Sequence, residues 1–186
     1  VEALMSSTVT IRRLARHEVH DHVEAMAEVL IDCVEGGASV SFMKPLSRER
    51  AQAFWRKVAD EAARGERVVL VAVDEDVGRI VGTVQLILGL PENQPHRADV
   101  AKMLVHRSAR RRGIAEQLMR ALEQTALEEG RDLLVLDTVT GGDAERLYAR
   151  LGWQRVGEVP RYALMPDGGF CSTTFFFKSL NPSAKS

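Results

Sequence analysis

Val105-His-Arg-Ser-Ala-Arg-Arg-Arg-Gly-Ile-Ala115 decides the reading of this chain. The apolar run Met103-Leu104-Val105 at its start reads as the end of a strand. Ile114-Ala115-Glu116-Gln117-Leu118-Met119 reads as the first turns of a helix. A first helical turn leaves backbone N–H groups without intrahelical partners and carries the positive end of the helix dipole. Such a turn binds an anion, and a diphosphate suits it best. Gly113 lets a ligand approach the backbone closely. Arg110, Arg111 and Arg112 add positive charge around the same spot. Without an anion the arrangement is electrostatically the wrong way round, because a helix start prefers acids. A solvated charge cluster is the alternative reading of the same letters.

The rest of the composition narrows the choice. The 186 residues suit one domain with a sizeable core, expected over residues 8–180 with tails at 1–7 and 181–186 and Met5 as a candidate natural start. Hydrophobic residues at 45% and charged residues at 27% describe an ordinary soluble protein. A net charge of −1 argues against nucleic acid as a partner. No apolar run reaches the length of a membrane span, and no signal peptide is visible. Cys33 and Cys171 lie far apart without metal-ligand spacing, which suits free thiols in a reducing cytoplasm.

Working outward, Thr8 to Leu14 alternates as a short strand. His17 to Glu35 has helical spacing in Val19, Val23, Met26, Ala27, Leu30 and Val34, with Gly36 as the stop. His20 and Glu24 stand one turn apart, but a solvated polar face explains them and no metal is expected. Residues 36–43 form a small-residue loop ending in an aromatic, a candidate substrate loop. Ser47 caps a second helix that stops at Gly65. Strands follow at 67–73, 79–88 and 96–105, joined as hairpins. The helix after the basic turn runs to about Glu129. Leu133-Leu134-Val135-Leu136 is a strand covered on both faces. Thr140-Gly-Gly-Asp143 is close to a capping box and opens a helix through Tyr148 to Gly152. Two strands close the chain, with Pro166-Asp167-Gly168 as a turn between them. The strands at 96–105 and 133–136 flank a helix, so they should be parallel neighbours with a right-handed crossover. That places the basic turn at the carboxyl ends of both, where open α/β sheets bind ligands.

The stretch from Val105 to Ala115 resembles the coenzyme-A signature of the GNAT superfamily of N-acetyltransferases, with Arg110, Gly113 and Ala115 at the signature positions. Tyr148-Ala-Arg-Leu-Gly152-Trp153 resembles the family's second marker, and the order of elements matches from Thr8 to Lys178. A closer likeness is to the tabtoxin-resistance acetyltransferases, which act on a small β-lactam amino-acid toxin. It is carried by Gly36-Gly37-Ala38-Ser39-Val40, Leu136-Asp137-Thr138, Val156-Gly157-Glu158 through Tyr162, and Pro166-Asp167-Gly168. The resemblance implies an α/β (α+β) fold. Its mixed, mostly antiparallel sheet would have about seven strands, a parallel pair splayed at the centre and helices on both faces. Two departures stand in the signature. Arg107 replaces a common proline and Arg111 a common glycine, and an arginine would be strained at Arg111 if that position needs positive φ.

The resemblance also implies direct acetyl transfer from acetyl-CoA to an amine. Backbone N–H groups of Arg111, Arg112, Gly113, Ile114 and Ala115 would take the diphosphate, with Arg110 beside them. The main chain of Met103, Leu104 and Val105 would pair with the pantetheine arm like an added strand. Backbone groups at Met103 and Leu104 would polarise the thioester carbonyl. A carboxylate must accept a proton from the ammonium, and Asp99 and Asp137 are the candidates. Their bland roles are a pairing of Asp99 with Arg97 or Lys102, and a strand-end cap at Asp137. Tyr148 would return a proton to the leaving thiolate, and a core tyrosine is its alternative. Ser39, Phe42, Asp99 and Asp137 are the candidate acceptor contacts. The expected acceptor is a small-molecule amine, possible members being a toxin or an antibiotic, and a homodimer is left open. A protein N-terminus or lysine acceptor and a non-catalytic acyl-CoA sensor are the rivals. A protein acceptor needs an open groove, whereas a small one needs the pocket that the loop at 36–43 would cover.

Overall fold

The computed structural model describes residues 8–180; the segments read as tails, and Met5 with them, lie outside the described residues. The chain runs β1 (Val9–Arg13), a 3-10 turn (Val19–His22), α1 (Val23–Glu35), α2 (Arg48–Ala63), β2 (Arg67–Asp74), β3 (Arg79–Ile87) and β4 (Arg97–Val105). A second 3-10 turn (Arg107–Ala109) leads to α3 (Ile114–Glu128), β5 (Leu133–Val139), α4 (Asp143–Arg150), β6 (Gln154–Leu164) and β7 (Phe170–Ser179). The strands form one seven-stranded sheet in the order β1-β2-β3-β4-β5-β7-β6. Every pairing is antiparallel except β4 with β5, which is parallel as the crossover argument requires.

Helices cover both faces. Met26, Leu30, Trp55 and Val58 of α1 and α2 pack on Val69, Val71 and Leu104. Leu118, Leu122 and Leu147 of α3 and α4 pack on Leu70, Val84 and Leu134. Adjacent residues of β2 therefore serve opposite cores, which is why this strand is apolar without alternation. Each fully buried leucine such as Leu122 contributes about 2 kcal/mol.

Several local expectations change. The helix expected from His17 begins as an α-helix only at Val23, after the 3-10 turn. His20 there reaches Asp60 at 3.1 Å. Gly36 does not supply the left-handed stop, for its φ is −76°, and Gly37 at φ +94° does. Gly36 is needed for space, because a Cβ would lie 2.8 Å from Arg107 Cδ. Ser47 caps α2 as expected, its side chain accepting from the Arg50 amide at 3.2 Å. Thr140 is not the cap of α4. That position is Gly142, while Thr140 Oγ1 lies 2.8 Å from Thr174 Oγ1 and the Glu145 carboxylate takes the Gly141 N–H.

Two irregularities in β4 shape the centre of the sheet. Its register with β3 slips between the pairs Thr83↔Leu104 and Gln85↔Ala101, so β4 carries one extra residue there. Lys102 sits in this bulge at φ +51°. The bulge exchanges faces. Before it, Ala98 and Val100 face the α3 core; after it, Met103 and Val105 do, and Leu104 enters the other core. Pairing of β4 with β5 covers only Arg97↔Leu133, Ala98↔Leu134 and Asp99↔Val135. Beyond that point the two strands part, β4 staying on β3 and β5 on β7.

Candidate active site

The basic turn lies at the carboxyl end of β4, beside the mouth of this gap. Gly113 precedes α3 at φ +70° and no side chain caps the helix. Gln117 N–H returns to the Gly113 carbonyl at 3.1 Å, closing the first turn. Among the described residues nothing accepts from the amides of Arg111, Gly113, Ile114, Ala115 or Glu116. An added Cβ at Gly113 would meet only Gln117 Nε2, at 4.0 Å, so the space over the turn is open. These amides and the dipole fit a diphosphate. Arg111 takes φ +63°, so the position does demand the left-handed region, and its arginine carries the strain.

The three arginines part company. Arg110 lies against the Cys33 thiol. Arg112 turns away from the mouth and forms an ion pair with the buried Asp74, Nη1 to Oδ2 2.7 Å. The side-chain role expected of Arg112 toward the diphosphate is thereby corrected to an anchoring one, while its main chain stays in the turn. Arg107 donates from its backbone N and its Nε to Asp32 at 2.8 and 3.0 Å. Burial raises the Asp32 pKa, but these hydrogen bonds and the nearby His106 outweigh it and hold the carboxyl below its usual range. An arginine at the proline position thus fastens the turn to the end of α1. Burial, then the Asp32 charge, pushes the Cys33 thiol up to about 11 despite Arg110. Cys33 at neutral pH is a buried thiol, not a nucleophile.

Along the gap, the β5-facing edge of β4 from Val100 to Val105 has no strand partner. Met103, Leu104 and Val105 supply that edge, as expected of a main chain that receives an extended ligand. Their side chains do not: Leu104 is 3% exposed within the core, and Ile114 is 2% exposed. Asp137 lies on β5 beyond the last β4 pairing, exposed, its Oδ2 accepting from Thr173 Oγ1 at 2.9 Å. Asp99 stands opposite Val135 in the part of the pair that is still closed, and its carboxylate is bound by Arg97. In-register parallel neighbours share a face, so Asp99 and Asp137 look to the same side but roughly 7 Å apart along the strand. Asp99 is thus ion-paired with Arg97, whereas Asp137 has no cationic partner within 4.0 Å among the described residues.

Tyr148 is on α4 under the opposite face, packed on Trp153 and Phe176 at ring distances of 5.9 and 6.0 Å. Its residue is 4% exposed. Burial, then the charge of Asp137, pushes the phenol above its ordinary value. The hydroxyl has no hydrogen-bond partner among the described residues, and it is not one of the fully enclosed unpaired atoms. A core tyrosine with a satisfied hydroxyl does not fit this.

The loop between α1 and α2 folds over the α1 side of the gap. Ser39 Oγ donates to the Leu164 carbonyl at 3.0 Å, and Lys44 N–H donates to the Pro166 carbonyl at 3.0 Å. Lys44 Nζ adds an ion pair to Asp167 at 3.3 Å. Ser39 is thus a clasp onto the β6–β7 hairpin, its Oγ also accepting from the Cys171 thiol at 3.8 Å. Phe42 packs edge-on against Phe54 at 5.5 Å. Sequence reasoning missed Lys102, whose Nζ donates to Ser41 Oγ at 3.2 Å and lies 5.5 Å over the Phe54 ring. A lysine in a strand reads as a surface residue, and only the bulge turns it inward. Among the described residues no group of three or more His, Cys, Asp or Glu side chains is arranged to hold a metal ion.

Solved structures share this architecture from end to end. An acetyltransferase assignment from Salmonella typhimurium, solved with its cofactor acetyl-CoA, is 18% identical over 95% of this chain and 96% of its own, with a TM-score of 0.75. A protein assigned as a phosphinothricin N-acetyltransferase is 17% identical over 94% and 99%, with a TM-score of 0.76. The ribosomal-protein-alanine N-acetyltransferase of Brucella melitensis is 22% identical over 92% and 99%, with a TM-score of 0.75. Their names span small and protein acceptors, so the fold alone does not choose between them. The model of the Acetyltransferase (GNAT) family matches residues 25–153, covering α1, the bulged strand, the basic turn and Tyr148, and the chain belongs to that family.

Proposed function

We propose that this protein transfers the acetyl group of acetyl-CoA directly to the primary amine of a small molecule. One observation carries the reading: β4 and β5 part beyond Asp99, with an uncapped helix start at the mouth of the gap, Asp137 on one face and Tyr148 under the other. The amides of Arg111 to Ala115 would hold the diphosphate and the edge of Met103 to Val105 the pantetheine arm. Acetyl-CoA, when bound, supplies the activated acyl group. Asp137 takes a proton from the ammonium of the acceptor, directly or through one water, freeing the nitrogen lone pair for the acyl carbon. The backbone N–H of Met103 would stabilise the charge on the acyl oxygen, since the ladder turns the N–H of Leu104 toward β3. Tyr148 would give its proton to the sulfur as the carbon–sulfur bond breaks, and the second proton of the ammonium, shed once the carbon–nitrogen bond has formed, would go to the resulting tyrosinate directly or through water. Asp99, bound to Arg97, shapes the acceptor side without exchanging protons.

A small acceptor is favoured over a protein one because the loop at 36–43 is clasped to the β6–β7 hairpin at Ser39 and Lys44. That closes the acceptor side, where a polypeptide would need an open groove. Toxin and antibiotic amines are the first class to test, on the likeness carried by Leu136-Asp137-Thr138 and the hairpin turn. Free Cys33 and Cys171 suit a cytoplasmic setting, and no helix among the described residues is long and apolar enough to cross a membrane. A homodimer would use the edge strand β6, which exposes Val156, Val159, Tyr162 and Leu164.

The test is a two-step measurement. Acetyl-CoA at a hundred times its Kd should raise unfolding free energy by about 2.7 kcal/mol, read as a higher Tm. A panel of small amines, followed by release of the CoA thiol, then identifies the acceptor. Stabilisation by acetyl-CoA with thiol release only from peptide acceptors would replace the small-molecule reading. No stabilisation at all would remove the acetyltransferase reading.

A further inference from the structure

The acceptor side of the gap carries both paired and unpaired charges, Arg50 over the Phe42 ring among the unpaired ones in the described residues. Arg67 is bound to Glu61 at 2.5 Å and Arg97 to Asp99. Lys102 and Asp137 are also unpaired: among the described residues neither has an oppositely charged partner within 4.0 Å. Each feels the other's field, for Asp137 draws the Lys102 pKa upward while burial and Arg67 draw it down more strongly. A cation and an anion that face one cleft without closing on each other are set for a ligand carrying both charges.

The surroundings of Lys102 add to this. Its backbone is left-handed, and so is that of Ser41, at φ +51° and +79°. Both are non-glycine residues in a conformation that costs about 1 to 3 kcal/mol each, and they meet side chain to side chain. The carbonyl of Lys102 is fixed by Thr83 Oγ1 at 3.0 Å. Beneath it, Gln85 pairs with Ala101 across the sheet and receives Arg67 Nη1 at 2.6 Å. Gln85 Nε2, Arg67 Nε and, on the residue beside Phe54, Trp55 Nε1 are enclosed donors with no acceptor. All three present hydrogens.

We propose that Lys102 is the specificity-determining residue for an acceptor that carries a carboxylate or similar anion beside its amine, the anion binding at Lys102 Nζ and Ser41 Oγ and the ammonium at Asp137. This rests on the acetyltransferase reading. It selects zwitterions such as α-amino acids against plain cationic amines, which would meet an uncompensated ammonium. Phe54 lies under the Lys102 Nζ and keeps the cation in place without neutralising it.

The experiment compares matched acceptors, the standard L-amino acids against their α-amides, in wild type, Lys102→Gln and Lys102→Arg. Wild type should prefer the acid by about tenfold to a hundredfold in kcat/KM, as one charge-assisted hydrogen bond provides. Lys102→Gln should bring the acid-to-amide ratio to about one, mainly through KM of the acid, and Lys102→Arg should restore part of the preference. A wild-type preference for amides overturns the proposal. So does a Lys102→Gln variant that loses kcat equally on acid and amide, since Lys102 would then act as a base. When no amino acid is turned over, the amino acids are added to the CoA-saturated protein and Tm is read. Absence of a further rise that depends on Lys102 overturns the anion site, while a rise with acetyl-CoA alone leaves the acetyltransferase reading standing.

Discussion

Thr173 Oγ1 lies 2.9 Å from both Asp137 Oδ2 and the Thr138 carbonyl, so one hydroxyl hydrogen is shared between them at the point where β5 has left β4 and still holds β7. This occupies one carboxylate oxygen and leaves the other to the cleft. Asp137→Asn keeps the shape and the hydrogen bond but cannot take a proton. It should lower kcat by about 10²-fold to 10⁴-fold with the acetyl-CoA-induced rise in Tm retained. Unchanged turnover under conditions where chemistry limits the rate would return Asp137 to a strand-end role.

Tyr148→Phe removes a hydroxyl that has no protein partner, so it should leave the melting temperature within about a degree of wild type while slowing transfer about 10²-fold. The sign of the pH effect follows from the environment. Burial and the Asp137 charge raise the phenol's pKa, so the protonated donor persists through the whole alkaline range in which free tyrosine would begin to ionise. The wild-type rate profile should show no alkaline fall assignable to Tyr148 below pH of about 10. A descending limb there that vanishes in the phenylalanine variant would contradict this.

The two left-handed positions in the basic turn should respond in opposite ways. Gly113→Asp places a side chain at φ +70° and a negative charge at the helix mouth, and it should abolish the thermal shift with acetyl-CoA. Arg111→Gly relieves an L residue at φ +63° and should raise stability by about 0.5 to 1 kcal/mol, the strain released less the chain entropy added. It should keep the acetyl-CoA shift, because the backbone amide survives. Urea unfolding with and without acetyl-CoA reads both. A full response in Gly113→Asp would move the diphosphate elsewhere.

Asp32 gives a pH-dependent prediction. Its side chain is 14% exposed and its folded pKa lies below the ordinary 3.8 because the Arg107 hydrogen bonds and His106 outweigh burial. The stabilisation it provides is therefore complete above the ordinary aspartate value and is lost as pH falls through the lower folded value. Asp32→Asn should cost about 1 to 2 kcal/mol at pH 7, discounted for the half-exposed Arg107. The two proteins should converge as the solution is acidified below that range. Parallel urea curves at each pH check it, and a constant gap would mean the loss is one of packing.

Much of this was legible in the letters, and the gaps have causes. The parallel pairing of β4 and β5 followed from strand, basic turn, helix and apolar strand in succession, because handedness leaves one crossover. Helix ends at Gly65 and Gly130 were legible because a left-handed stop needs glycine. Lys102 was not, because its direction depends on a bulge set by β3, and a register slip leaves no mark in composition. The partner of Arg112 lies 38 residues away at the end of β2, a pairing no local spacing reveals. Thr140 fitted a capping motif but found a hydrogen bond in β7 instead, tertiary context overriding a local preference.

The sheet also sets the proposed base and the proposed donor on opposite flanks. Asp137 stands on the side of α1 and α2, and Tyr148 belongs to the core under α3 and α4. In the proposed reaction they approach the acyl centre from the two sides, near enough for the Asp137 charge to raise the phenol. Each turnover must discharge the exposed Asp137 and restore the proton of the buried Tyr148. Discharge of an exposed acid is fast, so restoring the enclosed phenol is the step where a solvent isotope effect should fall.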